Sequence, residues 1–363
     1  MDYRNIFKEK LSKLLFLEIE KEGFKKMVNI PEYIEFQTKD LFLPISSEYL
    51  TENIGDKIKI NNIPIYYIIE GILLTLGADS EIRFRNDYIK LMMQIPDAEE
   101  CGKSLVAKKI KEDNLLDGYL ILKGLFLAYE EEEYMEKLLM IGVSLRGKNR
   151  DFEDVLLEDI DEAKKYFEKM KEPYLYKSII YRDAGDYQAA RVEVNEYLIR
   201  GGEQTPEIEM LMRDIENITS YEEAIELLDK NTEKAIGILL NLVENFDDNP
   251  LMYYYLAVGY RKIEKHEKAI EYLLESLRID SGILEVVNEL GINYACLGDY
   301  EEGAKYLRKA FEASKDVEIC TNLIMCYINL GKIEEAKLHL DIAEKIDKDD
   351  EIVIKIKKFL EKK

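Results

Sequence analysis

The sequence predicts an all-α protein whose C-terminal third is a series of similar helix pairs. Three windows that begin near Pro250, Leu284 and Val317 repeat one another at spacings of 34 and 33 residues. Each window holds an aliphatic or small pair, a Tyr three residues later, and a small residue nine positions after the Tyr. These positions are Leu256-Ala257, Tyr260 and Ala269, then Leu290-Gly291, Tyr294 and Gly303, then Leu323-Ile324, Tyr327 and Ala336. A period of this length is typical of one supersecondary unit that stacks on its neighbours.

The small residues indicate where the two helices of each pair cross. The first helix, helix A, carries the Leu–small–x–x–Tyr face, and the second, helix B, carries Ala269, Gly303 or Ala336. A bulky side chain at that point would overpack the crossing, at a cost of about 1–3 kcal/mol. Gly298 and Gly331 follow helix A in two of the windows, as expected of residues that end a helix.

This pattern resembles the tetratricopeptide repeat, most clearly over residues 250–350. The resemblance implies antiparallel helix pairs that coil into a right-handed α-α superhelix. It weakens toward the N-terminus, where Tyr181 and Ala190 still fit one degenerate window. In the next degenerate window, Ser220 and Glu223 have the spacing of a capping box, which predicts a shorter, shifted helix that begins there.

We expect four segments along the chain. Residues 1–150 form a less regular helical region, 151–249 hold degenerate repeats, 250–349 hold three repeats, and 350–363 form a capping helix. Such a helix covers the exposed core of the last repeat. Its inward-facing residues are expected to be Ile352, Ile356, Phe359 and Leu360.

The N-terminal region allows two interpretations, a plain helical domain or further degenerate helix pairs. The apolar spacing of Met1–Gly23 predicts one amphipathic helix. The dense apolar run Ile65–Leu76 predicts a buried helix; in the second interpretation Gly77 ends it and Tyr88–Ile95 is its partner. A stretch rich in Pro and aromatic residues, 28–65, predicts a less regular segment before that helix.

The charge of the chain is strongly and unevenly acidic. Its net charge is −23; residues 1–150 contain 22 basic and 26 acidic residues, whereas residues 151–363 contain 29 and 48. An acidic surface of this strength repels phosphate backbones and anionic lipids. We therefore expect neither nucleic acid nor a membrane as a partner. A second interpretation, that the charge only keeps solvated helix faces soluble, stays open.

The sequence carries few residues arranged for catalysis. It contains no Gly-x-Gly-x-x-Gly, phosphate-loop, Gly-x-Ser-x-Gly or His-Glu-x-x-His motif. Its two histidines, His266 and His339, leave few candidates for proton transfer at neutral pH. The four cysteines form no Cys-x-x-Cys pair, so we expect no metal and no cofactor. Free thiols fit a reducing compartment, and we expect a cytoplasmic protein.

The resemblance also implies a binding surface. In the tetratricopeptide family, helix A residues that do not pack inward line a concave groove that binds peptides. In this sequence the residues at those positions include Arg182, Leu251, Tyr254, Val258, Arg261, Asn288, Ile292, Thr321 and Met325. Arg182 and Arg261 share one repeat position, where a guanidinium binds either a ligand carboxylate or a carboxylate of a neighbouring helix.

These features favour a non-enzymatic scaffold that holds a peptide or a partner helix in the groove. A second hypothesis is a peptide-responsive regulatory protein with an N-terminal helical effector domain. A third is an enzyme hidden in the N-terminal region, and the lack of a catalytic motif counts against it. The sequence leaves the identity of the partner and the oligomeric state open.

Overall fold

The computed structural model of the chain describes residues 3–38, 40–46, 49, 63–245 and 248–362. The chain divides into two compact units, Met1–Leu211 and Met212–Lys363. The described residues are mostly helical and contain one two-stranded antiparallel sheet. No helix among them combines the length and the apolar run that a membrane span needs. The all-α class predicted from the sequence is confirmed.

The first unit begins with helices around a small sheet and continues as a set of packed helices. Its elements are, in chain order, α1 (Tyr3–Ser12), β1 (Leu15–Ile19), α2 (Lys21–Met27), β2 (Leu41–Ile45), α3 (Ile65–Ala78), α4 (Arg85–Gln94), α5 (Ala98–Lys111), α6 (Leu115–Tyr129), α7 (Glu132–Lys148), α8 (Glu153–Tyr166), α9 (Glu172–Asp183) and α10 (Tyr187–Ile199). A short 3-10 turn, Arg150–Phe152, precedes α8.

The N-terminal segment is not the single amphipathic helix that its apolar spacing predicted. Helix α1 is followed by β1, which pairs with β2 so that Leu17 lies opposite Leu43. Leu43 and Ile45 are fully buried, so pairing encloses an apolar strand whose burial outweighs the local helical spacing. Strand β2 lies within the stretch 28–65 that was predicted to be irregular. Part of that stretch lies outside the described residues: 39, 47–48 and 50–62.

Helix α3 is central to the first unit and is longer than predicted. It continues through Gly77 to Ala78, so Gly77 does not end the helix. Gly77 is instead a packing position, where a Cβ would overlap the carbonyl oxygen of Leu120 on α6. Gly124 on α6 meets the backbone of Leu73 on α3 in the same way. Helix α3 therefore packs mainly on α6, and the predicted partnership of α3 with α4 is wrong.

The second unit contains the predicted repeats as consecutive helix pairs. The boundary between the units falls within α11 (Pro206–Lys230). The later helices are α12 (Thr232–Asn245), α13 (Pro250–Lys262), α14 (His266–Ile279), α15 (Leu284–Cys296), α16 (Tyr300–Ser314), α17 (Val317–Asn329), α18 (Ile333–Ile346) and α19 (Glu351–Leu360). The pairs α13–α14, α15–α16 and α17–α18 correspond to the three windows of the sequence repeat.

The small residues lie at the helix crossings, as predicted. Ala269 and Ala336 are fully buried. A Cβ on Gly303 would lie 3.1 Å from the carbonyl oxygen of Gly291, so helices α15 and α16 approach backbone to backbone. Larger side chains at these positions would force the two helices of a pair apart.

The turn between helix A and helix B is closed by the same hydrogen bond in each repeat. The carbonyl oxygen of the repeat Tyr accepts the amide of the residue five positions later, at 2.9 to 3.0 Å. The residue before that donor has a positive φ; it is Gly298 and Gly331 in the second and third repeats and Glu264 in the first. This is the hydrogen bond of a helix C-cap that favours glycine.

The shorter helix predicted to begin at Ser220 does not form. Helix α11 is continuous for 25 residues, and Ser220 lies in its interior. The preceding turns contain Glu, Met, Leu and Arg, which are strong helix formers. A capping box begins a helix only where the preceding chain is not itself helical.

Helix α19 occupies the predicted place of the capping helix but is rotated from the expected orientation. Val353, Ile356 and Leu360 are buried. Ile352 and Phe359, which were predicted to face inward, are exposed. The exposed pair leaves apolar surface at the end of the repeat series.

Candidate peptide-binding groove

The candidate site is one face of the A helices of the second unit, which we call the A-helix face. It consists of the second, fifth, ninth, twelfth and thirteenth residues of α13, α15 and α17, counted from Pro250, Leu284 and Val317. Each A helix also has fully buried core residues, such as Leu256 in α13 and Leu290 in α15. The core side fixes the rotation of each helix and thereby positions the A-helix face.

An apolar side chain occupies the ninth position of each A helix. Val258 and Ile292 are half-buried, and Met325 is 46% exposed. Helix α19 begins 34 residues after α17, and its ninth residue, Phe359, is 45% exposed. We call Val258, Ile292, Met325 and Phe359 the apolar row.

A cavity of about 200 Å³ opens beside the apolar row, between α15 and α17. Ile292 and Met325 contribute to its wall, and Leu307 and Tyr300 of α16 also line it. The other lining residues are Ala295, Cys296, Asn322, Cys326 and Asn329. This cavity, which we call the row pocket, joins residues of two successive repeats.

Arg261, predicted for the groove, forms an ion pair between the first and second repeats. Its Nε lies 2.7 Å from Oε2 of Glu289, a residue that is almost fully buried. Asn293 donates its amide to the carbonyl of Glu289 at 2.8 Å. Oδ1 of Asn293 therefore accepts a hydrogen bond from Nδ1 of His266 at 3.0 Å, and that imidazole nitrogen is the donor. Of the two alternatives for Arg261, the structure contains the internal ion pair.

Tyr254 and Asn288 are the polar groups at the fifth positions of the first two repeats. The ring of Tyr254 lies edge-on to Tyr255, with 5.1 Å between centroids. Burial, followed by the Glu289 carboxylate, raises the pKa of Tyr254 to about 12, so its hydroxyl is protonated at neutral pH. Oδ1 of Asn288 is enclosed and has no hydrogen-bond partner among the described residues. The face thus offers the hydroxyl of Tyr254 as a donor, whereas the Asn288 oxygen is enclosed beneath it.

The remaining predicted residues contribute differently. Leu251 is exposed at the start of α13. Thr321 is only 4% exposed and donates its hydroxyl to the carbonyl of Glu318 at 2.8 Å, so it adds little surface. Arg182 lies on α9 in the first unit, where its guanidinium is 2.7 Å from Asp183. Arg182 therefore lies outside the A-helix face.

Comparisons with known proteins agree with the helix pairs. The family model of the tetratricopeptide repeat matches residues 252–282. The matched residues form the pair α13–α14, and the pairs α15–α16 and α17–α18 continue the same period. A TPR repeat-containing protein of Methanocaldococcus jannaschii is 30% identical over 126 residues, which are 33% of this chain and 22% of that relative. The chain therefore matches about a fifth of the length of this relative.

Solved structures with tetratricopeptide repeats are also similar. One is YrrB, described as a TPR protein with an unusual peptide-binding site: it is 16% identical, with a TM-score of 0.38, and the match covers 56% of this chain and 99% of YrrB. Another is the second TPR domain of human RPAP3 in complex with an HSP70 peptide: it is 20% identical, with a TM-score of 0.30, and the match covers 32% of this chain and all of that domain. These scores are low, and our fold assignment depends on the helix pairs themselves.

The tetratricopeptide period also explains which surface residues sequence reasoning missed. Cys296 and Asn329 are thirteenth residues of their A helices, and both line the row pocket. Phe359 was assigned to the core, although counting the period forward from α17 puts it at a ninth position. The missing signal was the register of α19, because this helix lacks the Leu-small pair of a complete tetratricopeptide repeat.

Proposed function

We propose that the protein is a non-enzymatic scaffold whose A-helix face binds a peptide or a partner helix from another protein. Tetratricopeptide repeats are typical of protein-interaction scaffolds. The observation that carries the proposal is the row pocket, a cavity of about 200 Å³ beside the exposed Met325.

The volume of the row pocket favours a protein side chain as its occupant. Pockets for drug-sized molecules have volumes of about 300–1,000 Å³, whereas a cavity of about 150 Å³ accommodates one benzene ring. The row pocket is between these sizes and fits one Leu, Met or Phe side chain. Full burial of such a side chain contributes about 1.5–3 kcal/mol.

The apolar row extends this contact beyond a single anchor. Val258, Ile292, Met325 and Phe359 lie on alternate helices, α13, α15, α17 and α19, so a segment that crosses these helices would cover all four. Their partial exposure supports a surface that gains apolar burial when a partner binds. Tyr254 supplies a hydroxyl donor at the same face.

We also infer that this binding takes place in the cytoplasm. All four cysteines are free thiols. Thiols persist in a reducing compartment, whereas secreted proteins more often pair them.

The test is a capture experiment with matched variants of the full chain. Met325→Glu introduces a charge into the wall of the row pocket, and the exposure of Met325 lets the isolated protein tolerate it. Leu338→Glu is the control, because Leu338 is 59% exposed on the B helix α18 and outside the A-helix face. Wild type and the control should retain the same proteins from an extract of the source cells, and Met325→Glu should lose them. Equal retention by all three baits would contradict a partner site at the row pocket.

A further inference from the structure

The charges of the A-helix face are unevenly compensated. Arg261 of this face is paired with the buried Glu289. Glu285 and Glu318, the second residues of α15 and α17, are exposed, and no Lys or Arg of the described residues forms an ion pair with either. We call these two carboxylates the acidic edge. They leave negative charge along one side of the apolar row.

The helix termini offset only part of this charge. Glu285 and Glu318 lie in the first turns of their helices. A helix N-terminus carries a partial charge of about +0.5, which stabilises an acidic residue there. Each carboxylate carries a full negative charge, so each helix end remains negative by about half a unit.

The acidic edge and the apolar row run parallel across α15 and α17. The second and ninth residues of a helix are seven positions apart, and a rise of 1.5 Å per residue separates them by about 10 Å along the axis. An α-helix with its side chains has a diameter of about 10–12 Å. A helix that crosses the A helices along the apolar row therefore has its flank beside Glu285 and Glu318.

We propose that the partner segment is a basic amphipathic helix, with an apolar stripe on the apolar row and Lys or Arg side chains beside the acidic edge. This inference rests on the proposed function, because it assigns the partner of the same face. One large apolar side chain of the stripe enters the row pocket. Lys and Arg have the long stems needed to reach a carboxylate from the flank of a helix while their charged ends remain in water.

Charge complementarity selects this occupant over a second copy of the chain. The net charge of the chain is −23, and a second A-helix face would bring another acidic edge against the first. Like charges brought together across an interface oppose binding, whereas a basic segment is attracted from a distance.

The test uses three synthetic helical probes and the full chain. The probes are about 18 residues long, which is enough for a stable Ala-rich helix. They share one Leu and Phe stripe and carry Lys, Gln or Glu at the same flanking positions. Fluorescence anisotropy at low and high salt should give tightest binding for the Lys probe and weakest for the Glu probe.

Two double variants, each of which removes two carboxylates, locate the effect. Glu285→Gln/Glu318→Gln should weaken binding of the Lys probe roughly 2- to 10-fold at low salt and less at high salt. Glu267→Gln/Glu301→Gln is the matched control, because these exposed carboxylates occupy the first turns of the B helices α14 and α16. Both variants remove the same net charge, so the control should leave the Lys preference nearly unchanged.

The outcomes separate this inference from the proposed function. Equal weakening by both double variants would assign the preference to total charge and overturn the acidic edge as its source. Equal binding of all three probes, abolished by Met325→Glu, would overturn the basic partner and support the groove. Binding that Met325→Glu leaves intact would overturn the row pocket as the site in both proposals. No binding of any probe would overturn the amphipathic helix as the partner.

Discussion

Nε of Arg261 lies 2.7 Å from Oε2 of Glu289, and this pair connects the first repeat to the second. Glu289 is almost fully buried, and Arg261 is about one-third exposed. The partly exposed cation therefore neutralises a carboxylate that would otherwise be enclosed without a counter-charge. Charge reversal at Arg261 would place two carboxylates together, so such a variant would change stability as well as any ligand contact.

Removal of both members of this pair should cost less stability than the sum of the two single removals. Arg261→Gln leaves the Glu289 carboxylate without its cation and should lower the free energy of unfolding by about 1.5–3 kcal/mol. Glu289→Gln alone should cost less, because Arg261 can turn toward water. The double variant should lose less than the sum of the two single losses. Urea denaturation of the four proteins gives the coupling energy, and strictly additive losses would contradict the pair.

The turn of the first repeat has Glu264 at the position where the other two repeats have glycine. Glu264 has φ of 59°, whereas the equivalent Gly298 and Gly331 have φ of 83° and 72°. A left-handed conformation costs a non-glycine residue about 1–2 kcal/mol, and the greater freedom of unfolded glycine offsets about 0.5–1 kcal/mol of this. Glu264→Gly should therefore stabilise the protein by up to about 1 kcal/mol.

The reverse substitution provides the control for that turn. Gly298→Ala should destabilise the protein by roughly 1 kcal/mol, since a Cβ meets no neighbour there and only the backbone conformation opposes it. Thermal unfolding of both variants followed by circular dichroism should show opposite shifts in Tm. Shifts of the same sign would contradict a common turn conformation.

The repeats were predictable because their information is local. The hydrogen bond to the Tyr carbonyl, the positive-φ residue of the turn and the small residue at the crossing all lie within one period, and they recur in register. The apolar ninth positions follow from the same register. The row pocket does not follow from the register of one repeat, because its lining combines Leu307 of a B helix with Met325 of the next A helix.

The errors in the first unit have a different physical cause. Strand β1 has no local partner, and it pairs with β2 across more than twenty residues. The close approach of α6 requires glycine at position 77, and no residue near Gly77 in the sequence indicates that it contacts Leu120. Contacts between distant segments decide these elements, so the periodicity of one segment could not predict them.

The contact of Gly77 with α6 should make that position sensitive to a single methyl group. Gly77→Ala places a Cβ against the Leu120 carbonyl, which belongs to backbone and cannot rotate away. We expect a loss of about 1–3 kcal/mol, the usual cost of overpacking. Gly147→Ala on α7 is the matched control, because no atom lies within 4 Å of its Cβ, and it should be neutral or stabilising. Equal Tm values for the two variants would contradict the close packing of α3 on α6.

The row pocket should give Cys296 and Cys326 different reactivities. Cys296 is exposed, whereas Cys326 is buried. Burial, with nearby Cys296 next in effect, raises the pKa of the Cys326 thiol to about 11. At about pH 8 only about one Cys326 thiol in a thousand is ionised, and the thiolate is the reactive form. Alkylation by iodoacetamide, followed by peptide mass spectrometry, should therefore modify Cys296 first.

Occupancy of the row pocket should then slow the alkylation of Cys296. A bound side chain shields the lining residues, so an A-helix ligand should protect Cys296 in wild type but not in Met325→Glu. Cys101, in the first unit, serves as the internal reference in the same digest. Alkylation of Cys326 as fast as Cys296 would show that the pocket opens more widely than the structure indicates. Protection of Cys101 and Cys296 to the same extent would instead indicate a general effect of the ligand on the whole chain.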